Sequence, residues 1–298
     1  MNFQGIQFAV VAATMSGDPR EAPLLARRAG FGGLLFDAFS PSLNVSDLSA
    51  TGQREFRHLL SSQNCQLAGL SVDLGNKGLS PGADVDRLLS QLGKVMESAA
   101  GLQTGLICVE LGPLPAPPRL KKAGPKITPQ LAGVIVVPDI EPQEAAEEAT
   151  PPADPAFVSQ IDAAMSEIGV MADRYNVMLA FRSELAGFTA LQRTLAGARC
   201  PWFGVDLDPP AILRDEWAND EIFSQLGMLI RHVRGRDAIR GADRRTKPAS
   251  VGRGDTKWDQ MLSNLQGAGY RGWITLDSID LTDRAAAAVA GLKYLKMH

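Results

Sequence analysis

The chain has 298 residues, 45% of them apolar, and sets 30 Lys and Arg against 33 Asp and Glu for a formal net charge of -3. A chain of that size and apolar content buries a full core unaided, and with charges so nearly balanced no overall field draws it to nucleic acid or to an anionic membrane. Its one early apolar run, residues 5–13, has no basic residue before it and the length of a buried strand rather than of a leader or a membrane span. Cys65, Cys108 and Cys200 are odd in number and far apart. They read as reduced thiols of a cytoplasmic protein, not as a disulfide framework or a zinc site.

Eight apolar runs of strand type follow one another at residues 5–12, 32–39, 67–74, 104–112, 176–184, 202–209, 229–237 and 272–279, with helical periodicity between them. After the third run, Val85, Leu88, Leu89, Leu92, Val95, Met96 and Ala99 fall on one helical stripe; before the fifth, Phe157, Ile161, Ala164, Met165, Ile168 and Met171 form another. This is the alternation of a parallel α/β protein. Eight units, with no glycine-rich phosphate turn after the first, predict a closed (β/α)8 TIM barrel rather than an open doubly wound sheet. Closure requires the run 272–279 to lie beside the run 5–12. One interval is too long for a single helix, and within it residues 113–156 hold 11 of the 19 prolines. They form an insertion after strand four in an otherwise single domain, residues 1–298. Its first half is basic (Arg119, Lys121, Lys122, Lys126), its second acidic (Glu141, Glu144, Glu147, Glu148), and residues 133–140 between them read as a short β segment. An insertion there emerges on the face where barrels build their sites, as a lid, an oligomer contact or an excursion without catalytic role.

Charged residues gather near the C-terminal ends of the runs: Asp37, Asp73, Glu110, Arg182, Asp208, Arg234, Asp237 and Asp277. Period-two alternation puts Gly204, Asp206 and Asp208 on one face of strand six, Ile230, His232 and Arg234 on one face of strand seven, and Trp273, Thr275 and Asp277 on one face of strand eight. Val205 with Leu207 and Ile274 with Leu276 are left to pack under helices. Such convergence points to a binding site more than to scattered salt bridges. His232, with no orienting partner legible, reads as a packing or hydrogen-bonding group lining that site. Residues 231–257 are basic, and Arg240 or Arg253 is placed to hold a phosphate or carboxylate, a solvated basic loop being the alternative. The stretch lacks the interleaved aromatics of a nucleic-acid surface.

Several segments carry a family resemblance: Ala29-Gly30-Phe31-Gly32-Gly33, Val177 to Arg182, Phe203-Gly204-Val205-Asp206-Leu207-Asp208-Pro209, His232-Val233-Arg234 with Asp237, and above all Val251-Gly252-Arg253-Gly254-Asp255 and Gly269 to Asp277. Together they resemble the xylose isomerase-like superfamily of sugar phosphate isomerases and epimerases, to which the apurinic-site endonucleases also belong. The resemblance implies a sugar or sugar-phosphate isomerase or epimerase of carbohydrate metabolism. It also implies a divalent cation held by a glutamate, an aspartate, a histidine and a glutamate on strands five to eight. Here those positions read Arg182, Asp208, Arg234 and Asp277, and a histidine common three residues after the strand-six aspartate is Ala211. Two carboxylates do not make a hard-cation site, so no metal and no other cofactor is expected. Arg182 and Arg234 then stand in for the cation, Asp208 and Asp277 orient them, and Asp208 or Glu110 moves the proton. Asp37, His232, Arg240 and Arg253 are the expected substrate contacts. The alternative is a non-catalytic barrel that binds a sugar acid, polyol or partner protein, with Arg182–Asp277 and Arg234–Asp208 as buried ion pairs filling the old cavity. The expected ligand is a small carbohydrate or organic anion, with anions favoured; homo-oligomerisation is compatible, nucleic acid and membrane are not.

Overall fold

The computed structural model describes residues 5–116, 153–215, 219–241 and 245–297. Apart from its two ends, the insertion 113–156, with its β segment and both charged halves, lies outside the described residues. Eight parallel strands form a closed barrel: β1 (Gln7–Val11), β2 (Gly33–Asp37), β3 (Gln66–Asp73), β4 (Leu106–Glu110), β5 (Met178–Arg182), β6 (Phe203–Leu207), β7 (Ile230–Gly235) and β8 (Trp273–Leu276). The ring closes as expected, Gln7 lying opposite Trp273 and Val10 opposite Leu276.

Around it lie α1 (Ala22–Ala29), α2 (Ala50–Ser62), α3 (Val85–Leu102), α4 (Pro155–Tyr175), α5 (Phe188–Ala198), α6 (Asn219–Leu226), α7 (Trp258–Gly267) and α8 (Arg284–Met297). Their ends are written in the sequence. The side chains of Asp84 and Asp154 accept backbone N–H bonds at the starts of α3 and α4, and Pro155 needs no donor in the first turn. α3 buries Leu89, Leu92, Val95, Met96 and Ala99 of its expected stripe, and α4 buries Ile161, Ala164, Met165 and Ile168. Among the described residues no helix is long and apolar enough to cross a membrane.

Two interiors result. The larger lies between barrel and helices, where Val205, Leu207, Ile274 and Leu276 pack with Phe181, Phe203 and the helical stripes. Burial of each such side chain contributes about 1.5–3 kcal/mol. The smaller lies inside the barrel and is apolar on one side only, where Leu35, Cys108 and Ala180 meet, with Val11 and Leu106 against them. Opposite them stand Asp206, His232 and Thr275, each buried to 1% exposure or less. The register between β6 and β7 explains how they meet. Val205 lies opposite Ile230, but Asp206 lies opposite His232, so Arg231 is an extra residue that shifts the pairing. Strict alternation on strand seven therefore fails. Ile230 joins the outer core while His232 bonds within the barrel.

Candidate functional site

The inward alternation of the strands stacks polar groups in two tiers. In the lower tier, the ionised Asp206 accepts a hydrogen bond from His232 Nδ1 at 2.6 Å, and His232 Nε2 lies 2.7 Å from the Thr275 hydroxyl. His232 thus has orienting partners on both sides, contrary to the expectation from sequence, because Asp206 comes from a neighbouring strand 26 residues away. Cys108, Asp206 and His232 bring three potential metal donors within 4.8 Å. With Nδ1–H on Asp206, the lone pair left on the neutral ring is at Nε2 and is directed at the Thr275 hydroxyl.

Two residues further along each strand, the upper tier forms the mouth. Arg234 donates from Nε to Asp206 Oδ2 and from Nη1 to Asp277 Oδ2, both at 2.8 Å. Arg182 Nη1 lies 3.1 Å from Glu110 Oε2, its register partner on β4, and also bonds Glu184; its Nε is 3.7 Å from Asp206. Arg236 reaches Glu184 at 2.9 Å, Asp280 at 3.3 Å and Asp208 at 3.4 Å, and so ties together the loops after β5, β6 and β8. The pairs expected from sequence, Arg182 with Asp277 and Arg234 with Asp208, are replaced by these. Asp206, in the tier below, lies within 2.8 Å of Arg234 and 3.7 Å of Arg182; Asp208, two residues further along, meets Arg236 instead.

Electrostatics separates the carboxyls into two kinds. Burial pushes Asp206 upward, but Arg234, His232 and Arg182 outweigh it and hold the group well below the usual carboxylate range. Burial likewise opposes ionisation of Glu184, yet Arg182 and Arg236 bring it down to about 2. At Glu110 burial wins, with Arg182 and two backbone amides offsetting only part of it, and the group is raised. Asp208 is raised for the same reason despite Arg236, Arg182 and Arg234. Glu110 Oε1 accepts from the amides of Glu184 at 2.9 Å and Gly112 at 3.3 Å, whereas Glu110 Oε2 and Asp208 Oδ1 are buried without a hydrogen-bond partner.

Of the residues singled out from sequence, Glu110, Arg182, His232, Arg234 and Asp277 fall in one connected network and Asp208 joins it through Arg236. Asp37 does not: it is exposed at the end of β2, where its carboxylate accepts the Phe39 amide at 3.0 Å. Arg240 and Arg253 stand outside as well. Arg240 lies on the small hairpin Asp237–Arg240 with Thr246–Ala249, where its amide donates to Asp255, and Arg253 is exposed in the following turn. That turn is organised by Asp237, 2% exposed, whose two oxygens accept the amides of Ala238, Gly252, Gly254 and Thr256. Glu184, Arg236 and Asp280 are the network members not singled out from sequence; Glu184 and Arg236 each stand two residues beyond a singled-out arginine, past the end of the strand, and Asp280 lies on the loop after β8.

The comparison with curated proteins returned no match. Among solved structures, the chain is similar to a xylose isomerase domain protein from Planctomyces limnophilus (12% identity, 98% of this chain and 95% of that one, TM-score 0.69). It is also similar to a D-psicose 3-epimerase from Clostridium cellulolyticum H10 crystallised with D-tagatose (12% identity, 98% of each chain, TM-score 0.67). A third similar structure is the 3-keto-D-glucoside 4-epimerase of E. coli (14% identity, 99% of each chain, TM-score 0.67). Identities this low carry the fold and nothing finer. The family is carried by the sequence itself: residues 23–298 match the model of the xylose isomerase-like TIM barrels, and the chain belongs to that family.

Proposed function

We propose that this barrel is a sugar isomerase or epimerase of cytoplasmic carbohydrate metabolism that works without the family's divalent cation, by proton transfer next to a carbonyl. The observation that carries the reading is Glu110. Its Oε1 is fixed by two backbone amides, its Oε2 is buried without a hydrogen-bond donor, and Arg182 Nη1 lies 3.1 Å from that oxygen. A carboxyl raised by burial is a stronger base than an ordinary glutamate, which suits it to take up a proton. A guanidinium beside it is placed for the oxygen that gains charge when the proton leaves. In the proposed step the carbon–hydrogen bond breaks, the proton passes to Glu110, and the electron pair moves toward the carbonyl oxygen, which Arg182 stabilises as an enolate. Return of the proton from Glu110 to the adjacent carbon, with the hydroxyl proton on that carbon's oxygen passing to the first oxygen, isomerises; delivery of a solvent proton to the original carbon from the opposite face, with Glu110 giving its proton up to solvent, epimerises.

The residues present do not fit a divalent cation. Arg182 and Arg234 occupy two of the four ligand positions that the resemblance implies and offer no lone pair. The Arg234 guanidinium also lies between Asp206 and Asp277, where it already neutralises the carboxylates a cation needs. The charge balance bears on the ligand too. Glu110, Glu184, Asp206, Asp208, Asp277 and Asp280 face Arg182, Arg234 and Arg236. Carboxyls outnumber guanidiniums, and every guanidinium has a carboxylate partner. This favours the carbohydrate over the organic anion, for which a released arginine was the expected attraction. The same saturation supports a second reading, a barrel that binds without turning over.

The test is solvent exchange. Ketohexoses and aldohexoses incubated with the protein and a chelator in D2O are followed by proton NMR for loss of the signal next to the carbonyl. Exchange is expected with at least one sugar, unaffected by chelator, and reduced about 100-fold or more in Glu110→Gln. Exchange that chelator abolishes would sink the metal-free reading; no exchange with any sugar leaves the binding barrel as the better account.

A further inference from the structure

On the outside of the barrel, α1 is patterned inside out. It buries Ala22, Pro23 and Ala26 and turns Leu24 and Leu25 outward, 38% and 36% exposed. Its neighbour α8 is apolar on both sides: Ala288, Gly291, Leu292 and Leu295 meet the core, while Ala285, Val289 and Ala290 lie on the outward side. A helix apolar all round belongs in an interior; α3, by contrast, turns Arg87, Lys94 and Glu97 to solvent. Between α1 and α8 runs an open groove of about 570 Å³, with Met15, Leu25 and Val289 in its apolar lining and Arg28 and Lys293 at its edge. Lys296 Nζ donates to the Gly30 carbonyl at 3.2 Å, so the two helices finish at the same end of this face.

We propose that this face pairs with the same face of a second copy of the chain, the helices of one copy running antiparallel to those of the other across a two-fold axis. Such a contact needs a self-complementary surface, and this one is so in shape and in charge. Leu24 projects beside the groove, and in a two-fold pair the projection of each copy meets the hollow of the other. Both helices return against the parallel strands and so point the same way. The exposed acids Glu21 and Asp283 stand at their starts, and the exposed bases Arg28 and Lys293 toward their ends. Arg284 leaves from the other side of α8, four residues before the buried Ala288. Antiparallel pairing therefore sets the acids of each copy against the bases of the other, whereas parallel pairing would oppose like charges. The 14 residues of α8 span about 21 Å, and two helices side by side are about 20 Å wide, which gives about 400 Å² per copy. That is the low end for specific interfaces, so the dimer is weak and forms with concentration.

The experiment is sedimentation velocity on the full chain from about 1 μM to about 1 mM, the range in which a small interface associates. A reversible monomer–dimer equilibrium is expected, with no larger species, because a two-fold contact closes on itself. In the antiparallel pair Ala286 faces the basic end of the partner's α8. Ala286→Arg should therefore raise the dissociation constant about 10-fold or more above that of Ala286→Glu, which has similar bulk and the opposite charge. Circular dichroism checks that the variants fold. If Ala286→Arg does not, Lys293→Glu is read against Lys293→Arg, with the same ratio expected. In the wild type, acetylation of Lys293 should slow as concentration rises through the dimer range. A monomer at every concentration, open-ended oligomers, or a dimer in which Lys293 stays equally reactive would each overturn the proposal. Equal weakening by the two Ala286 variants, or by neither, would refute the antiparallel arrangement and the proposal with it. None of these outcomes bears on proton exchange, so the proposed function is tested separately.

Discussion

Asp206 and Glu110 show how position alone gives two carboxyls opposite properties. Both are buried, but Asp206 accepts from His232 and from Arg234, whereas Glu110 keeps one oxygen without a donor and faces its arginine in a geometry that makes no hydrogen bond. One therefore stays ionised and the other resists ionisation. The consequence for stability has a definite sign. A carboxyl whose folded pKa is raised, as at Glu110 and Asp208, contributes stability that is fully present below its ordinary pKa and is lost as pH rises through the raised value. Glu184 and Asp206 behave oppositely: their contribution is present above the ordinary carboxylate range and fades only as pH falls toward their depressed values, about 2 for Glu184. In the window that opens at the ordinary carboxylate pKa and closes at the raised values, Glu110 and Asp208 should therefore govern the trend contributed by this cluster. Glu110→Gln, which cannot ionise, should gain stability relative to the wild type as pH rises across that window, read as the urea midpoint at each pH. Midpoints that run parallel would show that Glu110 ionises as an ordinary glutamate does.

At the scale of elements, the strands and the α3 and α4 stripes were legible because apolar periodicity is a local property. Pairing register is not local. The extra residue Arg231 brings His232 opposite Asp206 and sends Ile230 to the outer face, and nothing in the run 229–237 announces it. This is why the partner of His232 escaped the sequence, while Arg182 meets Glu110 through the regular register of β4 and β5. The segment Val251 to Asp255 is the reverse case, a specific signal whose cause is visible only in the structure. Its glycines let backbone amides close on the buried Asp237 carboxylate. A Cβ on Gly254 would stand 2.3 Å from Asp237 Oδ1 and 2.6 Å from the Ala238 carbonyl oxygen. Gly254→Ala is therefore expected to cost about 1–3 kcal/mol, as overpacking does. Gly267→Ala, with nothing within 4 Å of the added carbon, serves as its comparison at near-neutral cost. Melting temperatures that place the two variants together would show that the Asp237 turn gives way freely.

In the whole molecule, the interior of the barrel holds a polar chain where such barrels ordinarily hold layers of branched apolar side chains. Thr275 on β8, His232 on β7 and Asp206 on β6 are linked in sequence, and Asp206 passes the connection up to Arg234 and through it to Asp277 beyond β8. The closed ring of eight parallel strands could be read from eight recurring runs, and so could the charged rim at their ends. What the rim does could not, because it depends on which carboxylate each guanidinium reaches across strands. Since this chain sits on the axis, it braces β6, β7 and β8 against one another from inside while the apolar core braces them from outside. Removing one partner leaves buried charge behind, so Asp206→Asn should cost about 3–5 kcal/mol. Thr275→Val should cost less, because it takes only the hydroxyl from His232. If the residues act as one chain, the double variant should cost less than the sum of the two by about 0.5–3 kcal/mol, since the histidine that Thr275 orients has already lost its main anchor. Urea unfolding of the four proteins measures this directly. Additivity within about 0.5 kcal/mol would mean that the two ends of the chain do not communicate through His232, and that each polar group is satisfied independently.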